Sequence, residues 1–224
     1  MIPIFSSSIM ALATAAVLVC SPQSELDVKQ LEIHEKGAHY RIDIEYPEIA
    51  GAHQFNEAVR KNVESMTTTF KRDMPEGTMP KEFADGELSG RFLATKLKNG
   101  VVSVLLEYSV YTPGAAHPGG VIASINYDSR TGSMVKLSDL FRPGVNYLKH
   151  LSKLAIASLD QNEFADHDAI RRGAGPVESN FRVFTLTDTS LVLHFAQYQV
   201  AAGPMGEPSV AIPLEKLAPI LRKL

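Results

Sequence analysis

The stretch YTPGAAHPGG places one histidine among prolines and glycines, where one strand-like run ends and another begins. An imidazole on such a loop, here His117, can act as a general acid, a general base or a metal ligand. Each role needs partners, either a nucleophile beside a base or further ligands at fixed spacing. The sequence contains no Gly-x-Ser-x-Gly elbow and no His-Glu-x-x-His pair. We therefore expect His117 mainly to fix the loop through hydrogen bonds, with partner contact as the second hypothesis.

A catalytic alternative requires carboxylates close to this histidine. A hydrolase or deacetylase would need a cleft that brings His117 within hydrogen-bond reach of Asp128 or Asp139. The polar trio Asn126, Asp128 and Thr131 also suggests a calcium loop, but it lacks the several alternating carboxylates that such loops contain. A turn that begins at an aspartate is the favoured interpretation, and Asp139 is expected to cap a second turn. An enzyme is less favoured than a binding protein, and no metal site is predicted.

Aromatic side chains beside flexible loops are the best candidates for contact with a partner. Tyr198 is followed by AAGPMGEP, and Tyr111 opens the histidine loop. Tyrosine next to mobile glycine and proline suits recognition of a protein or a sugar. The predicted partner-binding residues are thus His117, Tyr111 and Tyr198, with ordinary packing as the alternative for the tyrosines.

Composition excludes several classes of function. Hydrophobic residues make up 45% of the 224 residues and charged residues 21%, as in an ordinary folded protein. A net charge of −3 gives no reason to expect nucleic acid as a partner. Glycine motifs for nucleotides are missing, and a single cysteine cannot form the cysteine pairs of a structural zinc site. We expect no cofactor.

The N-terminal residues predict export. The apolar run Ile9–Val19 is shorter than the roughly 20 residues that a membrane-spanning helix needs, and it fits the core of a secretory signal. Cys20 follows it directly and is the candidate lipidation site. We expect residues 1–24 to be an export or lipoprotein signal. The protein would be periplasmic or tethered, touching the membrane only through this N-terminal anchor.

The first half of the remaining chain, residues 25–87, is predicted to be a small β-β-α subdomain. Lys36 and Gly37 form the turn of a hairpin, because alternating apolar residues follow them. A helix of about five turns comes next, as apolar residues recur every three or four positions. These residues are Phe55, Val59, Val63, Met66 and Phe70.

The second half, residues 88–224, is predicted to be a larger domain. Asn99 and Gly100 indicate a type I′ hairpin, in which both residues have positive φ. Its second strand is expected to bury one alternating row: Val102, Val104, Leu106, Tyr108 and Val110. A helix capped by Asn146 follows, and residues 166–179 are expected to be a connector. The predicted fold is α+β, with two packed subdomains, each an antiparallel sheet covered by a helix.

Several short motifs occur in order and carry a family resemblance. The C-terminal motifs are Tyr-x-x-Gly-x-Ala-His-Pro, Asn-Tyr-Asp-x-x-Thr-Gly and Leu-x-Asp-Leu-Phe, followed by LHF, QYQV and VAIP. This pattern resembles the C-terminal extracytoplasmic domain of RsiV-type proteins. The stretch IEYPEIAG and the helix after it resemble the small domain that precedes it in RsiV- and PdaC-type proteins.

The resemblance implies a bacterial envelope protein whose partner is lysozyme or a peptidoglycan fragment. The deacetylase chemistry of PdaC-type proteins resides in a separate metal-dependent domain that this sequence does not resemble, so that activity is not implied. A noncatalytic recognition domain is the favoured function. A cell-wall hydrolase or deacetylase and a purely structural envelope lipoprotein are the alternatives.

Overall fold

The computed structural model describes residues 27–74, 85–161, 166–202 and 206–222. The predicted α+β class is confirmed. The strands are β1 Val28–Lys36, β2 Tyr40–Ile49, β3 Gly86–Lys96, β4 Val101–Tyr111, β5 Gly119–Asp128, β6 Ser133–Met134, β7 Phe184–Leu186, β8 Ser190–His194 and β9 Ser209–Pro213. The helices are α1 His53–Arg72, α2 Tyr147–Leu159, α3 His167–Gly173 and α4 Leu214–Leu217, with 3-10 turns at Leu137–Leu140 and Glu178–Phe181.

The larger sheet contains six strands in the order β1-β2-β3-β4-β5-β6. Neighbouring strands are antiparallel except β2 and β3, which run parallel in the register Tyr40–Gly86 to Ile44–Gly90. A parallel pair needs a crossover connection, and α1 lies in that connection. The sheet is therefore mixed, whereas the sequence suggested a separate antiparallel sheet in each half.

The predicted boundary between residues 25–87 and 88–224 falls inside β3. This strand pairs with β2 of the first half on one side and with β4 of the second half on the other. Strands of both halves thus share one sheet. The division into two subdomains stays a prediction.

Helix α1 covers one face of the larger sheet. It begins and ends close to the predicted limits, and it buries Phe55, Val59, Val63 and Phe70. The predicted row of β4 lies beneath it, with Val102, Val104, Leu106 and Tyr108 buried. The Tyr108 hydroxyl donates to Asn62 Oδ1 on α1 at 2.7 Å, which satisfies the polar end of this aromatic side chain.

The smaller sheet, in the order β7-β8-β9, packs with α2 around a second core. Asn146 caps α2 as predicted, accepting a hydrogen bond from the Lys149 amide at 3.1 Å. This sheet lies on the face of the larger sheet opposite α1, which we call the outer face. Ser103 and Leu105 of β4 are consequently buried too, so both faces of that strand are covered at this end.

Three polar side chains on the outer face join the two sheets. Strand β7 is an edge strand, and Phe184 and Leu186 turn backbone groups away from β8. The Phe184 amide donates to Ser124 Oγ at 3.0 Å, and the Leu186 amide donates to Ser103 Oγ at 2.8 Å. Asn126 Nδ2 donates to the Phe184 carbonyl at 3.0 Å. Side chains therefore satisfy an edge that would otherwise bury unpaired backbone groups.

Two local predictions were wrong in instructive ways. Of Asn99 and Gly100, only Gly100 has a positive φ, at 84°. The Gly100 amide donates to the Leu97 carbonyl, so the hairpin has a three-residue loop with a left-handed glycine at its end. Within the predicted connector lies α3, whose start is capped by Asp166 through hydrogen bonds from the amides of Asp168 and Ala169.

Candidate functional site

A groove of about 690 Å³ crosses the outer face at the end that the smaller sheet leaves uncovered. Its floor is one cross-strand row, in which His34 pairs with Asp43, Asp43 with Ser89, Ser89 with Ser109, and Ser109 with Gly120. These residues alternate along their strands with residues that face α1. The pleat therefore aligns polar side chains from four strands and the bare backbone of Gly120 on β5 along one surface.

A second row beside the floor carries an ion pair. Arg91 Nε donates to Glu107 Oε2 at 2.8 Å across β3 and β4. Glu107 is half-buried, whereas the Arg91 side chain is mostly exposed. One carboxylate of the groove is thus partly neutralised by a cation that is itself accessible to a ligand.

The other end of the floor holds a small charged cluster. His34 Nδ1 lies 2.8 Å from Asp43 Oδ1, and Arg41 also pairs with Asp43. The hydrogen bond to Asp43, joined by one to Glu32, raises the pKa of His34. The same contacts from His34 and Arg41 hold the pKa of Asp43 below its ordinary value. The cluster favours an ionised carboxylate beside a readily protonated imidazole.

Glu207 forms part of the wall and lies directly against Gly120. A Cβ atom at position 120 would be 1.7 Å from Glu207 Oε1, so only glycine allows this approach. Burial raises the pKa of the Glu207 carboxyl, the charge of Glu107 raises it further, and Arg91 opposes the shift. The negative charge of Glu207, at the edge of the groove, is therefore only partly balanced by the positive charge of Arg91.

Gln197, Gly206 and Glu207, in the described parts of the connection from β8 to β9, supply this wall. The Gly120 amide donates to Gln197 Oε1 at 3.1 Å, which ties the connection to the first residues of β5. Tyr198 follows in sequence, with 61% of its surface exposed and a φ of 67°. An aromatic residue in the left-handed region is uncommon, because its Cβ crowds the backbone there.

Gln199 holds this unusual turn in place. Its amide donates to the Ala196 carbonyl at 3.0 Å, closing a turn in which Tyr198 is the third residue. Its side chain accepts from the Ala196 amide at 3.0 Å and donates to the carbonyls of Gly173 at 2.8 Å and Asn180 at 3.0 Å. A Cβ at Gly173 would lie 1.9 Å from the Gln199 carbonyl oxygen. The turn is thus fixed to α3 and the neighbouring 3-10 turn.

The three predicted partner-binding residues lie around the groove without lining it. His117 is exposed, and its Nδ1 lies 2.9 Å from the Pro118 carbonyl oxygen. Tyr111 is half-buried at the end of β4, opposite Glu87. The lining includes instead their close neighbours in sequence: Pro118, Gly119, Gly120 and Gln197.

The structure does not bring His117 together with the carboxylates that a hydrolase would need. Asp128 is at the far end of β5, about 30 Å from the loop at the usual rise of a strand, and it pairs with Arg130 at 2.9 Å. Asp139 accepts a hydrogen bond from the Lys136 amide at 2.9 Å and so caps a turn, as predicted. The cleft required by the hydrolase or deacetylase alternative is not formed by these residues.

The polar trio for which a turn was preferred over a calcium loop is also separated. Asn126 is buried between the two sheets, whereas Asp128 ends β5 and bonds the turn that contains Thr131. Within the described ranges, no three His, Cys, Asp or Glu side chains are grouped closely enough to hold a metal ion. None of the helices in those ranges has the length and apolar character to cross a membrane. Cys20 and the predicted signal 1–24 lie outside the described residues.

Sequence reasoning missed the groove because its residues meet only through strand register. The signal present in the sequence was the polar half of each alternating strand, such as Asp43 on β2 and Ser109 on β4. Their juxtaposition depends on the parallel pairing of β2 with β3, which was not predicted.

Comparison with known families matches the C-terminal part of the chain. Residues 138–215 match the family model described as "Protein of unknown function (DUF3298)". Two solved structures share the fold over 88% of this chain. One is a DUF3298 family protein of Pseudomonas aeruginosa PAO1, with a TM-score of 0.61 and 20% identity over 95% of its length. The other is a DUF3298 member from Bacteroides fragilis NCTC 9343, with a TM-score of 0.58 and 15% identity over 94% of its length.

A curated relative extends the similarity to the first half. The chain is 26% identical over 189 residues to the peptidoglycan-N-acetylmuramic acid deacetylase PdaC of Bacillus subtilis strain 168. The match covers 84% of this chain and 40% of that enzyme, so the chain spans less than half the length of its relative. Residues 138–215 are therefore similar to the DUF3298 family and lie within a longer region that is similar to PdaC.

Proposed function

We propose that this protein is a noncatalytic recognition module of the bacterial envelope that binds a cell-wall glycan fragment in the groove on the outer face. The observation that carries the proposal is the groove itself, about 690 Å³ lined by serine hydroxyls, carboxylates, an arginine and exposed backbone. Sugars are bound through many hydrogen bonds to hydroxyl and carboxylate groups, and a groove of this volume has room for a short saccharide.

The similarity to PdaC supports a wall glycan over other polar ligands, because the name of that relative states that it acts on peptidoglycan. A deacetylase or hydrolase activity has weaker support. His117, Asp128 and Asp139, the residues from which such a site was predicted, are engaged in separate local contacts. Recognition therefore accounts for more of the observed geometry than catalysis does.

A cationic protein such as lysozyme, the partner implied by the RsiV-type resemblance, is the second candidate. The charged residues that line the groove are four carboxylates, one arginine and one histidine: Asp43, Glu45, Glu107, Glu207, Arg91 and His34. An excess of carboxylates over cationic side chains increases the rate of association with a basic protein. A ligand of that size would extend beyond the groove to the exposed Tyr198.

Export and tethering through Cys20 are part of the same proposal. Incorporation of labelled palmitate into the wild-type protein, and its loss in Cys20→Ala, would support a lipid-tethered form. Labelling that survives the substitution would contradict tethering at this residue. The third function, a structural lipoprotein without a ligand, requires tethering but no saturable binding.

Calorimetric titration with soluble peptidoglycan fragments and with lysozyme tests the binding proposal. Ser109→Phe places a large side chain at an exposed position on the groove floor, so we expect glycan affinity to fall about tenfold or more. The matched control is Ser133→Phe, at an exposed position on β6 that does not line the groove.

The expected result is saturable glycan binding by the wild type and the control variant, with loss in Ser109→Phe. Absence of glycan binding by the wild type would overturn the proposal. Binding of lysozyme alone, weakened by the same substitution, would favour the second candidate.

A further inference from the structure

We infer that the groove selects glycans that carry a free amino group. The ammonium of a de-N-acetylated amino sugar binds the carboxylate of Glu207, which lies against Gly120 and beside the Arg91–Glu107 pair. This inference rests on the proposed function, because it assumes that a wall glycan occupies the groove.

The distribution of ion pairs in the groove supports the inference. Asp43 is compensated by His34 and Arg41, and Glu107 is compensated by Arg91. Glu45, an exposed residue of β2, and Glu207 form no ion pair with any residue in the described ranges. Of these two, Glu207 lies in the wall against Gly120. It is the carboxylate of the wall that has an unused capacity to bind a cation.

The surroundings of Glu207 favour binding of a small cation. Gly120 presents no side chain, so the carboxyl lies directly against the backbone of β5 and loses part of its hydration. The charge of Glu107 is close enough to raise the pKa of Glu207, while Arg91 only partly opposes it. An ammonium bound here would offset both the desolvation of the Glu207 carboxylate and its repulsion by the carboxylate of Glu107.

An N-acetyl group cannot neutralise the charge of Glu207, because an amide is neutral and bulkier than an ammonium. The floor hydroxyls of Ser89 and Ser109 remain available for the sugar hydroxyls in either case. The two forms of the same oligosaccharide should thus differ mainly in their interaction with Glu207.

The test compares binding of glucosamine and N-acetylglucosamine oligomers of equal length to the full-length protein, by calorimetry near neutral pH. We expect the wild type to prefer the glucosamine oligomer by about tenfold or more, as for a charge-assisted contact. Glu207→Gln should abolish most of this preference, through weaker binding of the glucosamine oligomer. The matched control is Glu64→Gln, an exposed carboxylate on α1 that does not line the groove.

Three results would overturn the inference. Equal affinity for the two oligomers would contradict charge selection while leaving glycan binding intact. An equal loss in Glu64→Gln would show attraction to net charge instead of a site at Glu207. Binding of neither oligomer would overturn the inference, whereas the proposed function is overturned only if peptidoglycan fragments are not bound either. Thermal melting of each variant checks that the fold is retained.

Discussion

The hydroxyl of Ser103 on β4 donates to Oδ1 of Asn126 on β5, and both side chains are buried between the two sheets. The two residues are directly opposite each other in register. Each also bonds β7, Ser103 through the Leu186 amide and Asn126 through the Phe184 carbonyl. The pair therefore positions the smaller sheet, and with it the β8–β9 connection that supplies the wall of the groove.

Asn126→Ala should destabilise the protein by about 1–3 kcal/mol, because it leaves a buried carbonyl of Phe184 without its donor. Urea unfolding measures the change. Gln30→Ala, at an exposed position on β1, is the control and should change the free energy of unfolding by less than about 0.5 kcal/mol. Equal, small effects of the two substitutions would contradict a structural role for the polar interface.

Tyr198→Gly should raise the free energy of unfolding by up to about 1 kcal/mol, because glycine adopts the φ of 67° without strain. The same substitution should weaken glycan binding if the exposed ring contacts the ligand. Thermal melting and calorimetry on one sample measure both effects. A loss of stability would show that the ring contributes packing that outweighs the backbone strain.

Gly173→Ala should cost about 1–3 kcal/mol, since the added methyl group would collide with the Gln199 carbonyl oxygen. Gly119→Ala provides a matched control, because no atom lies within 4 Å of the added carbon and its φ is not positive. Chemical denaturation of the two variants compares them directly. Similar stabilities would mean that the Gln199 turn can move away from α3 at little cost.

Glu207→Gln should raise the melting temperature at pH 7 but not well below the ordinary glutamate pKa of 4.5. The pKa of Glu207 is raised in the folded state by burial and by Glu107, against the opposing charge of Arg91. The ionised form is therefore disfavoured by folding, and the penalty is present at neutral pH and disappears as the carboxyl becomes protonated. We expect less than about 1 kcal/mol because Glu207 is exposed. A difference in melting temperature between Glu207→Gln and the wild type that grows as the pH falls would contradict a raised pKa of Glu207.

Local patterns predicted most of the elements but not their assembly. The period of α1 and the cap of α2 at Asn146 were correct, because these depend on neighbouring residues alone. The mixed sheet was missed, since the parallel pairing of β2 with β3 is a contact between segments separated by α1. A strand-helix-strand order is the signal that would have suggested it.

The candidate site was predictable only in its periphery. His117 and Tyr198 were chosen from loop composition, and they lie next to groove residues without lining the groove. Glu207 could not have been selected, because its importance comes from its approach to Gly120 and Glu107, which are distant in sequence. The left-handed conformation of Tyr198 could not be predicted from the sequence either, because tertiary hydrogen bonds of Gln199 impose it.

The most direct test of the central claim is a map of amide chemical-shift changes in 15N-labelled protein during titration with a soluble peptidoglycan fragment. We predict saturable changes at Ser89, Ser109, Gly119 and Gly120, which line the groove. The amides of α1, on the opposite face, should stay unperturbed. Changes confined to α1 or to the apolar pocket near Leu140 and Leu214 would contradict the assignment of the groove as the binding site.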